Sequence, residues 1–280
     1  MNSLFERAKR AVMRLIDAHE NAAVARVRDL MNGFRLAIVA RMVESGMAVN
    51  AVPAFRSTQI AIGGTVDEYE RRIGQQVTAD VAVAIELGAE LIDKPMEAMS
   101  MNPLPLNPPS VEAAQLFALD RVKGLTADVR DKVAGILRRV LGGAISVDDA
   151  IKEVGASLNS KGAFKSFAAR AELIVRQEIL TAQSQATQQR MELRAKQMSA
   201  AGYELRKAWL TAHDLRVRPA HIVAGLTYTS ETAIPVDEPF IVDDEELLYP
   251  RDPSGSADNI LGCRCVSQPV VVKAAQSAAA

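Results

Sequence analysis

With 280 residues the chain is long enough for one large or two ordinary domains with a sizeable core. Lysine and arginine total 33 against 34 aspartates and glutamates, and a net charge of −1 gives no global attraction for nucleic acid, leaving only a local basic surface open to it. No run approaches the roughly 20 apolar residues of a membrane span, and the opening stretch, charged at Glu6, Arg7, Lys9, Arg10 and Arg14, does not read as a secretory signal.

From residue 1 to about 200 the pattern is helix after helix. Val27, Leu30, Met31, Phe34 and Ile38 recur at three- and four-residue steps, with Arg26, Arg28, Arg35 and Arg41 on other faces. Up to residue 46 there are eight Lys and Arg against five Asp and Glu, which makes this arm the one place for a DNA contact. Thr65 with Glu68 three residues on forms a capping-box pattern. It predicts a long helix to about Ala98, weakened at Gly74 and Gly88 and broken near Pro95. The stretch NPLPLNPPS at 102–110 holds four prolines and should run extended as a linker. Residues 1–101 are then an arm that the rest of the chain can fold without.

Beyond the linker, Ser110 and Thr126 each stand where a helix N-cap is expected, and Gly142-Gly143 is a stop. Ser146, with Asp149 three residues on, starts another helix. A long helix from about Ala163 to Ser199 carries the stripe Phe164, Phe167, Ala171, Ile174, Val175 and Glu178. After Gly202 the pattern changes: YELRKAWL at 203–210 and VSQPVVV at 266–272 read as strands. The expected fold is mainly α with a small C-terminal α+β module. Its divisions are the arm (1–101), the linker (102–110), a helical body (111–201), the module (202–272) and a disordered tail (273–280).

Both cysteines lie in NILGCRCV at 259–266, one residue apart. They cannot close a useful structural loop, so a disulfide scaffold is not expected and a reducing compartment fits. His213 and His221 fall in the same module, and thiolate and imidazole are preferred ligands of four-coordinate zinc. Cys263, Cys265 and His221, with His213 or Asp214 as the fourth ligand, are therefore a candidate structural zinc site. The plainer alternative is that the cysteines pack as small buried hydrophobes. In a strand, C-x-C sends both thiols to one face and Arg264 to the other, toward a carboxylate such as Asp214 or Asp258. The run Asp243 to Glu246 reads as a solvated loop or helix start. No glycine-rich phosphate loop, H-E-x-x-H helix or G-x-S-x-G elbow appears.

Taken in order, these motifs form a pattern. Trp209 stands five residues before Asp214. Then come D-x-R-V-R-x-x-H from Asp214 through Arg216 and Arg218 to His221, a Gly-Leu pair, an acidic stretch with prolines, and C-R-C at Cys263, Arg264 and Cys265. Upstream, VRQE carries Arg176 and Glu178. Over about residues 110–270 the chain resembles the head morphogenesis family of tailed bacteriophages, the Mu F-like minor head proteins. It departs from that pattern in having Gln177 where the family has Thr, and Gly262 where it has Asn before the first cysteine. The resemblance implies a minor capsid protein of the virion head, assembled in the host cytoplasm and acting near the portal in head assembly, DNA packaging or ejection. Its implied partners are the portal protein, the major capsid protein or both, with viral DNA and a homo-oligomer as further expectations and no membrane. The alternative is a metal-dependent or Cys/His enzyme, nuclease or toxin-like, built on the C-terminal module.

Overall fold

The computed structural model describes residues 2–45, 52–97, 99–159 and 166–273. It is mainly helical with a small C-terminal sheet, as the sequence pattern predicts. The long helices are α1 (Asn2–Ser45), α2 (Val52–Glu97), α3 (Pro108–Leu141), α4 (Val147–Asn159) and α5 (Phe167–Ala200). The module follows as β1 (Tyr203–Leu210), α6 (Pro219–Thr227), β2 (Ile234–Pro235), β3 (Phe240–Val242), β4 (Glu245–Leu247), α7 (Ala257–Ile260) and β5 (Val266–Lys273). The start of α5 expected at Ala163 and Phe164, and the tail expected beyond Lys273, lie outside the described residues.

The chain packs as two compact units that do not follow the expected divisions. One joins Met1–Glu20, Val81–Val111 and Gln177–Ala280; the other joins Asn21–Asp80 and Glu112–Arg176. The separable arm of residues 1–101 is thus replaced by helices shared between the units. The reason is apolar: Phe5 from α1 and Ile92 and Met96 from α2 belong to the same core cluster as Met191, Met198, Leu205 and Val236. Removing the arm would strip that cluster of three side chains, each worth about 1.5–3 kcal/mol of burial.

In the second unit the expected stripe of α1 is buried at Val27, Met31, Phe34 and Ile38, and Phe34 stacks on Tyr69 of α2 at 5.0 Å. Two expected caps are corrected. Helix α2 runs unbroken through Thr65, whose hydroxyl donates to the Ala61 carbonyl at 3.1 Å. Helix α3 runs unbroken through Thr126, which donates to the Val122 carbonyl and to Glu70. At both threonines the buried stripe continues on either side, from Ile62 to Val77 and from Val122 to Val140. Continuous apolar burial outweighs a local capping preference. A third, Ser110, is displaced too: α3 opens at Pro108, so Ser110 lies inside its first turn. The signals at Ser146 and Gly143 hold. Ser146 accepts the Asp149 N–H at 3.0 Å and caps α4. Gly143, at φ +71, ends α3 while Ala144 N–H bonds to Arg139 C=O and Gly143 N–H to Val140 C=O, the paired bonds of a Schellman motif.

In the first unit the proline stretch is a strap rather than a free linker. Residues 101–107 are irregular, and Pro108 and Pro109 open α3, where a missing N–H costs nothing. Asp93 of α2 holds the strap: it accepts from the Leu104 N–H and pairs with Arg194 at 2.8 Å and Arg190 at 3.4 Å. Arg194 and Arg190 reach on to the carbonyls of Asn102 and Pro105. Gly88, read from the sequence as a weak point, is a point of close approach. A Cβ there would lie 2.4 Å from the Gln183 carbonyl, and Thr187 donates to the Gly88 carbonyl. All three charged groups of the Asp93 cluster are buried. Asp93→Ala, which leaves two guanidiniums without their anion, should cost about 3–5 kcal/mol in urea unfolding. Lys94→Ala, which removes an exposed pair with Glu97, should cost under about 1 kcal/mol.

Candidate metal centre

The module is built on β1. It pairs antiparallel with β5 along its whole length, from Tyr203↔Lys273 to Leu210↔Val266, and with the short β2 on its other side. Pro269 is tolerated in β5 because that strand lies at the sheet edge. β3 and β4 form a hairpin closed by a two-residue turn at Asp243 and Asp244, both at positive φ, so the acidic run is that turn and the start of β4. Between the sheet and α6 lies a small aromatic core. Phe240 is edge-on to Trp209 at 5.2 Å and to Tyr228 at 5.0 Å, and Trp209 is edge-on to His221 at 5.5 Å.

His221 projects from α6 into this core, and Cys263 and Cys265 project from the extended residues that lead into β5. Both sulfurs lie 3.5 Å from the same ring nitrogen, His221 Nδ1, and all three residues are buried. The two thiols do share a side, as alternation predicts, although the segment is not itself strand. These three residues form a cluster whose ligand atoms lie within 4.8 Å of one another and could hold a metal ion. The other nitrogen, Nε2, faces Asn259 Oδ1 at 3.2 Å, and the Asn259 amide donates in turn to the Val242 carbonyl. Asn259 therefore holds the proton on Nε2 and leaves the Nδ1 lone pair for the sulfur side.

The other expected ligands are not brought in. His213, at φ +52, is exposed and contacts Thr211. Asp214 is engaged by Arg264 at 2.6 and 2.7 Å and accepts the Arg216 N–H. Those bonds hold its carboxyl below the usual range, Arg264 contributing most. Arg264 thus meets Asp214 rather than Asp258. Arg218 closes the ring by donating to the Leu261 carbonyl at 2.5 Å. Arg176 and Glu178 are half-buried on α5, on either side of Gln177.

Sequence reasoning missed Arg251. It is fully buried, and each of its donors is used: Nε on Leu180 C=O, Nη1 on the carbonyls of Cys263 and Cys265, Nη2 on Gln183 and Ser184. Positive φ at Arg251 turns the side chain inward, and the preceding turn is tied by Asp252, which accepts from the Leu248 N–H. The sequence signal was faint: an arginine and an aspartate between two prolines, PRDP at 250–253. The thiols divide their charge. Cys263 is pushed well below the ordinary thiol range because Cys265 donates to it, with His221 and Arg251 adding to the effect. Cys265 is pushed up, since it keeps the proton it shares with that neighbour and is buried. Two thiols that share a proton, beside one oriented imidazole, form a set that must release protons to become a three-ligand metal site.

Comparison with protein-family models, with curated proteins and with solved structures returns no match.

Lys207 of β1 is the module's second buried cation. Its ammonium donates to the Leu248 carbonyl at 2.6 Å and sits 4.9 Å over the Phe240 ring. Burial lowers its pKa to about 8, against the pull of Glu192, Asp237, Asp252 and Glu238. The unfolded chain therefore binds a proton here between about pH 8 and the ordinary lysine value near 10.4, and the folded chain does not. The burial penalty is full below pH 8 and fades as pH rises through that window. Measured by urea unfolding, the wild type should gain about 2 kcal/mol on Lys207→Met between pH 7 and 10.

Proposed function

We propose that this chain is a minor head protein of the tailed-phage type, acting at or near the portal during head assembly, with its C-terminal module clipped together by zinc on His221, Cys263 and Cys265. The observation that carries the reading is the meeting of Gln177 with Gly262. These are the two positions where the sequence departs from the family pattern, and the Gly262 N–H donates to Gln177 Oε1 at 3.0 Å. Gly262 has φ +67, a conformation that glycine and asparagine adopt most readily, so glycine is a physically sensible replacement for the family's Asn. The motif residues Trp209, Asp214, Arg218, His221, Cys263, Arg264 and Cys265 also gather around one centre, although they span more than fifty positions.

Zinc suits the donor set. Two thiolates and an imidazole are preferred zinc ligands, and Asn259 supplies the outer hydrogen bond that such a histidine needs. The portal and the major capsid protein are the partners this reading names, in the virion head and in heads assembling in the host cytoplasm. A DNA contact through the first helix is not part of it. Four of the eight basic residues of α1, Lys9, Arg26, Arg28 and Arg41, are ion-paired within the chain.

Mass spectrometry of purified virions and of assembling heads should find the chain at low copy, and its absence from both would sink the reading. For the metal, protein purified without added zinc should carry close to one equivalent, and a chelator should lower its melting temperature. A metal-free preparation whose melting point ignores chelator would return the cysteines to simple packing.

A further inference from the structure

The cluster brings three ligand atoms to one point, and the chain supplies no fourth. His213 and Asp214 are engaged elsewhere, and no other His, Cys, Asp or Glu among the described residues joins the group. The residues outside the described set include none of these four types. Against His221, Cys263 and Cys265 lies a cavity of about 10 Å³, also lined by Arg216, Val217 and Arg218, with room for about one water-sized atom.

We propose that a metal ion held by His221 Nδ1 and the two sulfurs keeps its fourth position for an exchangeable monodentate ligand from solvent, and that this position prefers a small anion. The inference rests on the metal reading above and deepens it. Zinc sites closed for structure have four protein ligands, whereas sites with three complete their shell with water or an added ligand. The sign of the preference follows from charge. Two thiolates neutralise a divalent ion, Asp214 neutralises Arg264, and the buried Arg251 is left over as a positive charge behind the cysteine carbonyls. Arg216, largely exposed, and Arg218 add positive charge at the cavity wall.

Cobalt(II) in place of zinc makes the shell visible. The full-length protein loaded with cobalt should show thiolate-to-cobalt charge-transfer bands together with the d–d bands of a four-coordinate ion. Titration with azide should shift the d–d bands saturably while the charge-transfer bands persist. His213→Ala should leave the azide-free spectrum unchanged. Azide-insensitive d–d bands would mean a closed shell and overturn the proposal, as would a spectrum altered in His213→Ala, which would identify that residue as the fourth ligand. If the thiolate bands never appear, the metal reading itself fails and takes this inference with it. That result is distinct from a cobalt site that ignores azide.

Discussion

Arg251 brings a full positive charge into an interior where an unmet donor would cost on the order of 1–3 kcal/mol, and the rest of the module is arranged around satisfying it. Its five N–H bonds reach two separate pieces of chain: α5, through Leu180, Gln183 and Ser184, and the C-x-C segment, through both cysteine carbonyls. By gripping those two carbonyls it fixes the backbone on either side of Arg264, and that fixes where the sulfurs point. The same charge helps to lower the Cys263 thiol pKa, so one side chain acts on both the geometry and the electrostatics of the thiol pair.

Around this anchor the motif divides its labour by side chain. His221 faces sulfur with one nitrogen and Asn259 with the other. Arg264 ties the segment to Asp214, and Arg218 ties the loop before α6 to Leu261. Trp209 packs its ring edge-on against His221, and its own buried N–H has no conventional acceptor but favours charge on Cys265. Hydrogen bonds to backbone carbonyls predominate here because the segment has little regular structure of its own to satisfy them.

The helices and the β1–β5 pair were legible because apolar periodicity is a local signal, and the two residue spacings that matter for strand and helix are far apart. His221, Cys263 and Cys265 were legible because the chain has only three histidines and two cysteines, and the Arg264–Asp214 tie because C-x-C alternation sends Arg264 away from the thiols toward a carboxylate. Arg251, Asn259 and Lys207 were not. Each is a common polar residue made special only by burial, and burial depends on contacts from positions tens of residues away. The capping signals at Thr65 and Thr126 misled for a related reason. A cap is a local preference, and the continuous buried stripes of α2 and α3 override it. The proline strap misled because four prolines specify an extended backbone but not what it lies against, and here Asp93, Arg190 and Arg194 supply that surface.

The cluster that places Phe5 beside Met96, Met198 and Leu205, with Val271 packed against it, joins residues more than 260 positions apart in the sequence. A ribosome delivers these groups in order, so the first turns of α1 emerge long before β5 exists to cover them. The unit containing the module has the high contact order that makes folding slow and leaves apolar helix faces waiting. The unit formed by Asn21–Asp80 and Glu112–Arg176 can be completed earlier in synthesis, because its last residue precedes the module. Translation therefore imposes a sequence of assembly in which the helical scaffold is finished first and the cysteine-bearing segment locks last.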